Sequence, residues 1–214
     1  MPLQARAEAT RRRILDSAVD LFDELGYGET GLADVLQRAG VSKGAFYYHF
    51  DSKEALATAI IDDYRRRNAE AVRDRSDCSA TMLEQIITAT YVSAALIEED
   101  KTARIGNQLL QALSQISSGA SQIYAEWTSN FIAAFVKGLE TIGLRDGVDA
   151  AEVAEAIWAG ILGCHLLSSA LGDDPYSRLT RSWRAVLKMT IADDMTDHYL
   201  DLLDRNASRH QRVG

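Results

Sequence analysis

Between Val41 and Lys53 the chain reads Val-Ser-Lys-Gly-Ala-Phe-Tyr-Tyr-His-Phe-Asp-Ser-Lys. Two tyrosines, a histidine and two lysines are gathered in one short stretch. If it is helical, Phe46 and Phe50 are four residues apart and share one face, which can turn inward. Lys43, Tyr47 and Tyr48 then lie around the other faces. Lysine can reach guanine or phosphate, aromatic rings can touch thymine methyls and sugars, and hydroxyls can bond phosphate. That is groove-reading chemistry. The alternative is an ordinary helical corner with surface tyrosines, but a short helix without a task seldom carries so many large exposed groups.

Other chemistry is not signalled. There is no Ser-His-Asp order, no HExxH, no Cys/His metal spacing and no Gly-rich phosphate loop. His49, His165, His198 and His210 are scattered. The acidic pairs Asp62-Asp63, Glu98-Glu99, Asp173-Asp174 and Asp193-Asp194 are sequence neighbours, so their side chains point different ways and read as solvated faces. A helical-bundle enzyme is therefore disfavoured, and neither a cofactor nor a metal is expected.

The elements around this stretch read as helices throughout. From about Arg6, Ile14, Ala18, Leu21, Phe22 and Leu25 recur at helical spacing and Gly26 stops the run. Met1–Ala5 reads as a loose lead, and Arg11-Arg12-Arg13 as a solvated basic face within reach of phosphate. A short helix from Leu32 to Ala39 ends at Gly40, Ser42 is a good N-cap, and Gly44–Phe50 is the next helix. Helix, tight glycine turn and short helix form a helix-turn-helix, whose second member enters the major groove. Another helix runs from Lys53 to about Arg75.

The order Phe22-Asp23-Glu24-Leu25-Gly26-Tyr27, Thr30, Ala39 to Phe50 and Lys53-Glu54-Ala55-Leu56 closely resembles the DNA-binding domain of TetR-family repressors. The resemblance covers about the first 65 residues. It implies base- and sugar-facing roles for Lys43, Gly44, Ala45, Tyr47 and Tyr48, with Ser42 at the helix start. It implies phosphate-facing roles for Thr30, His49 and Lys53. Gly31 departs from it, standing where many relatives carry Ser or Thr, so Thr30 is left as the alternative cap.

The rest of the chain has no strand-like alternation. Helices are expected at Met82–Ile97, Arg104 to about Ile116, Gln122–Ile142, Val153–Leu171 capped by Asp149, and about Leu179–Leu203. The implied organisation is all-α: a DNA-binding domain over 1–52, a connecting helix over 53–75, a ligand-binding and dimerisation domain over 76–204 and a flexible tail over 205–214. The last two helices are apolar on several sides, which predicts a homodimer through the helices at about 150–171 and 177–203.

Tyr124, Trp127, Phe131 and Phe135 form an aromatic stripe, which marks a pocket wall or plain core. Glu126-Trp127, before a glycine-ended loop, resembles the γ-butyrolactone autoregulator receptors, a TetR subgroup in which the matching tryptophan lines the ligand pocket. Polar anchors for such a pocket are Thr88, Tyr91, Gln108, Gln111 and His165.

The sequence thus reads as a repressor that binds a palindromic operator and is released by a small apolar or amphipathic effector. The long helix from Lys53 is its natural lever. A TetR-like regulator of efflux or metabolism with another effector, and a DNA-binding protein with no ligand, are the alternatives.

Totals fit this reading. The net charge is −8, with 12 basic against 13 acidic residues over 1–75 and 11 against 18 beyond. Any DNA face is then a local patch, not a global field. Cys78 and Cys164 form no paired motif, the N-terminus has no apolar signal core, and no apolar run approaches a membrane span. A cytoplasmic protein is expected.

Overall fold

The computed structural model describes residues 3–115 and 117–210, with Leu3 and Asp194 described by backbone alone. The described residues fold as α1 (Leu3–Leu25), α2 (Leu32–Ala39), α3 (Lys43–His49), α4 (Lys53–Arg75), α5 (Met82–Glu99), α6 (Lys101–Leu113), α7 (Ser118–Glu140), α8 (Ala150–Leu171), α9 (Pro175–Thr190) and α10 (Asp193–His210). The chain divides into two compact units, one of Met1–Ala69 with Ile97–Gln122, the other of Glu70–Leu96 with Ile123–Gly214. The all-α expectation holds.

In the first unit, α1 packs on α2, α3 and α6. Ile14, Ala18, Leu21 and Phe22 of α1 are buried, as are Val35, Ala39, Phe46 and Phe50 of the short helices. α6 crosses α4 at Gly106. A Cβ there would lie 2.5 Å from Tyr64 Cβ and 3.0 Å from the Ile60 carbonyl oxygen, so only glycine allows this approach. Ion pairs flank the crossing: Lys101–Asp20 at 2.8 Å, Arg104–Asp23 at 3.1 Å and Arg67–Asp100 at 2.7 Å. Asp100 also caps α6, accepting from the Ala103 N–H at 3.0 Å, which starts the helix before the expected Arg104.

In the second unit, α8 packs on α9 and α9 on α10. Trp183 is buried, stacks on Phe135 at 5.5 Å and donates from Nε1 to Thr90 Oγ1 at 3.1 Å. Asp149 caps α8 as expected, accepting from Ala151 and Glu152 N–H. α8 is long and apolar enough to cross a membrane by length and composition, with a mean hydropathy of 1.4. That differs from the sequence reading, because Glu152, Glu155 and His165 interrupt the run without lowering its average enough. Here α8 buries Val153, Ala154, Ile157, Trp158 and Ile161 inside the unit.

The single helix expected over Leu179–Leu203 is two. After Thr190 the chain leaves the helix to pair with residues 143–145: Arg145 N–H donates to Thr190 O at 2.9 Å and Ala192 N–H to Gly143 O at 3.0 Å. These bonds satisfy backbone groups that would otherwise be left open at the break. α10 then continues to His210, past the expected start of a tail at Arg205, and residues 211–214 of that tail lie outside the described residues. α1 likewise begins at Leu3, not at Arg6.

Candidate nucleic-acid interface

α2 ends at Gly40 in the left-handed region, φ 61°, where a residue with a Cβ would be strained. Gly40 and Val41 return their N–H groups to Gln37 O and Leu36 O, which closes the turn. Ser42 Oγ accepts from the Ala45 N–H at 3.2 Å and caps α3. Phe46 and Phe50 are buried with ring centroids 5.8 Å apart. This anchor fixes which face α3 presents.

That face carries the expected groups. Tyr48 is 78% exposed and Tyr47 45%. Ser42, Lys43 and Gly44 are exposed, and Ala45 and His49 are half-buried. Lys43 Nζ lies 5.8 Å from the Tyr47 ring centroid and the His49 ring stands edge-on to Tyr48 at 4.9 Å. Lys43, Tyr47, Tyr48 and His49 therefore sit on one short helix as a cationic and aromatic cluster.

Two expectations need correcting. Thr30 is buried; its hydroxyl donates to Gly26 O at 2.8 Å, with Leu21 O at 3.3 Å, and its N–H to Gly26 O at 3.2 Å. It neither caps α2 nor has a donor left for phosphate. The N-cap is Gly31, which has no side chain to contribute; the Asp34 carboxylate accepts from the Gly31 N–H at 2.8 Å, half of a capping box. Lys53 Nζ donates to Tyr27 O and Thr30 O, each at 2.8 Å, and lies 4.2 Å from the Tyr27 ring centroid. Its first task is to tie α4 to the α1–α2 link. Two further contacts escaped the sequence reading. Arg38 pairs with Glu24 at 2.7 Å, fastening α2 to the end of α1, and Arg11 sits over the Phe50 ring at 5.2 Å.

The expected effector residues divide between the units. Gln108 and Gln111 lie on α6 of the first unit, Gln108 exposed and Gln111 half-buried. Tyr124, Trp127 and Phe131 lie on α7 of the second, all half-buried. Trp127 meets Trp158 of α8 edge-on at 5.2 Å, and Phe131 lies 4.2 Å from Trp158 and 4.7 Å from Phe135. Trp158 was not singled out in the sequence, because helical spacing cannot tell which aromatics of two helices meet. Beside Trp127, the Thr128 hydroxyl oxygen is buried and has no hydrogen-bond partner among the described residues.

Tyr91 is fully buried, its hydroxyl shares a 2.7 Å hydrogen bond with Thr180, and burial pushes its pKa up to about 12. It is a satisfied core group. Burial lowers the pKa of His165 on α8, favouring a neutral ring. Thr88 lines a cleft between α5 and α10 that Trp127 does not line.

The chain matches the bacterial regulatory proteins of the tetR family over residues 14–60, the segment from α1 into α4. It is 30% identical to the A-factor receptor protein of Streptomyces griseus over 189 residues, which are 87% of this chain and 66% of that protein. The chain thus spans just under two thirds of that relative's length. A crystal structure of a gamma-butyrolactone receptor (ArpA-like protein) superposes with a TM-score of 0.76 at 26% identity, covering 95% of this chain and 99% of the other. The TetR-family protein CprB from Streptomyces coelicolor, in complex with its biological operator sequence, superposes with a TM-score of 0.68 at 26% identity, with 95% and 99% covered. The helix-turn-helix geometry and these likenesses agree: residues 14–60 form a DNA-binding domain of the TetR family of bacterial regulatory proteins, and the chain shares the fold of the solved members it superposes on.

Proposed function

We propose that the protein is a cytoplasmic, ligand-responsive repressor that binds a palindromic operator as a homodimer and leaves it when a γ-butyrolactone-type effector binds. The observation that carries the DNA part is α3, with Lys43, Tyr47 and Tyr48 displayed above buried Phe46 and Phe50. Ser42, Gly44 and Ala45 let backbone approach the groove at the helix start, and His49 and the remaining ammonium donor of Lys53 are left for phosphate. Thr30 drops out of this set.

The effector reading rests on the Trp127–Trp158–Phe131 cluster, on the unpartnered Thr128 hydroxyl, and on likeness to the A-factor receptor protein and to a gamma-butyrolactone receptor. An apolar aromatic wall with one or two polar groups suits a lactone bearing an alkyl chain. The dimer reading rests on α8 and α9, where Leu166, Leu167, Leu171 and Met189 are exposed. Pairing these helices with their copies buries that surface, and two α3 helices about 34–36 Å apart would then read successive major grooves. An effector must favour the non-operator state by about 1.4 kcal/mol for each tenfold loss of operator affinity.

The test is a gel shift with the DNA upstream of the protein's own gene, titrated with a synthetic 2-acyl-3-hydroxymethyl-γ-butyrolactone. Release by the lactone is expected, and Trp127→Ala should bind the DNA normally yet resist release. No specific shift overturns the operator reading. A specific shift that the lactone leaves untouched, with no lactone binding to the protein alone, overturns the effector class and leaves operator binding standing.

A further inference from the structure

We propose that the cleft between the end of α4, α5 and α10 is a second ligand site, which takes a small anion with an apolar body. The cleft has a volume of about 230 Å³, below the range of drug-sized pockets, so it suits a short amphiphile. Arg75 of α4 and Arg205 and Arg209 of α10 line it together. None of the three guanidinium groups makes a hydrogen bond or an ion pair among the described residues. Several other arginines of this acidic chain do find carboxylates, among them Arg38, Arg67, Arg104, Arg145, Arg178 and Arg184.

Two acids, Asp77 and Glu84, share the wall with the three arginines. Asp77 Oδ1 accepts from the Ser79 N–H and hydroxyl at 2.8 and 2.7 Å. Glu84 accepts from the Thr81 N–H at 2.6 Å and is held by His198 Nε2 at 2.7 Å. Neither carboxylate is paired with an arginine of the cleft, so three cations stand against two anions there and the guanidinium groups keep donors open.

A plainer explanation is that Arg75 and Arg209 answer the carbonyl ends of α4 and α10. It does not cover Arg205, a turn earlier, nor the convergence of all three on one cavity. Between the arginines, Val72, Ala89, Val92 and Leu202 give an apolar wall, and the Thr88 hydroxyl adds one polar group. Guanidinium forks match carboxylate and phosphate oxygens, and the apolar wall matches an alkyl stem. The site is separate from the aromatic cluster at Trp127, so it stands or falls independently of the lactone reading.

The full-length protein is titrated calorimetrically with hexanoate, with hexyl phosphate and with neutral 1-hexanol. Saturable binding of an anion, tighter than hexanol by about tenfold or more, is expected, and the tighter anion identifies the headgroup. The double variant Arg205→Gln, Arg209→Gln should lose at least that factor while melting as the parent does, since neither side chain has a partner among the described residues. Trp127→Ala should bind the anion unchanged. If the double variant melts lower, the single change Arg209→Gln carries the test, and it too should weaken binding. Failure of both anions to bind, equal binding of hexanol, or full anion binding by the arginine variants overturns the proposal.

Discussion

Replacing Gly106 by alanine asks directly whether α6 touches the backbone of α4. At an unhindered helical position the change should stabilise. Alanine is better than glycine in a helix interior by about 0.8–1.0 kcal/mol, and a newly buried methyl adds about 0.8 kcal/mol. At Gly106 the new Cβ would stand 2.5 Å from Tyr64 Cβ and 3.0 Å from Ile60 O. Carbon atoms prefer about 3.5–4.0 Å, so the helices must separate by roughly 1 Å. Neither obstacle can swing aside, because one is a Cβ and the other a backbone carbonyl. Overpacking of this kind costs about 1–3 kcal/mol, which turns the expected gain into a loss. For a chain of this size each 1 kcal/mol moves the melting temperature by about 2–4 °C. Calorimetric unfolding of the purified variant should show a melting temperature lower by several degrees. A variant that melts higher than the parent would refute the close approach and with it the role given to Gly106.

The double change Tyr47→Ala, Tyr48→Ala should abolish specific operator binding in a gel shift with little change in melting, since Tyr48 is 78% and Tyr47 45% exposed; retained binding would remove α3 from the reading role. Leu166→Glu with Met189→Glu should yield a folded monomer by light scattering, and a persistent dimer would move the interface off α8 and α9. Gly31→Ser supplies the missing cap oxygen at a backbone already extended, φ −83°, and its Cβ, 3.0 Å from Asp34 Oδ2, requires only that this exposed side chain give way, so stability should rise by a few tenths of a kcal/mol and operator affinity should rise; a weaker binder would show that the position tolerates no side chain near DNA. Burial alone would raise the Glu84 carboxyl, but the Thr81 N–H and His198 hold it below the ordinary carboxylate value. A depressed acid stabilises the fold above its unfolded pKa and loses that contribution as pH falls through the lower folded value. Acid titration followed by circular dichroism should therefore unfold Glu84→Gln over a shallower pH dependence below about pH 4.5 than the parent, and identical profiles would discount the contact.

The helix-turn-helix was legible because its signals are local. Gly40, Ser42 and the Phe46/Phe50 spacing act within one turn of chain, and each sits as its chemistry demands. Thr30 departs from its expected role because hydroxyl capping depends on where the chain folds back, and here Leu21 O of α1 and Gly26 O just after it are offered first. The break between α9 and α10 has no glycine or proline to mark it. It is made by tertiary pairing of Thr190 and Ala192 with residues 143–145, which one-dimensional periodicity does not contain. The same limit explains the effector set. Spacing along α7 found Trp127 and Phe131, but their partner Trp158 belongs to another helix. Spacing along α6 offered Gln108 and Gln111, which belong to the other unit.

The aromatic arrangement also makes the molecule its own optical instrument. All 3 tryptophans, Trp127, Trp158 and Trp183, belong to the second unit, whereas the reading head carries tyrosines. Light absorbed by indole therefore reports on the second unit alone. With Trp127 edge-on to Trp158, a molecule entering beside them changes the polarity around two coupled emitters, while Trp183, hydrogen-bonded to Thr90 in the core, supplies a steadier background. Under the proposed function, operator and effector occupancy would be followed in one cuvette, the first through a dye on the DNA and the second through the protein's native emission, with no label placed on the chain.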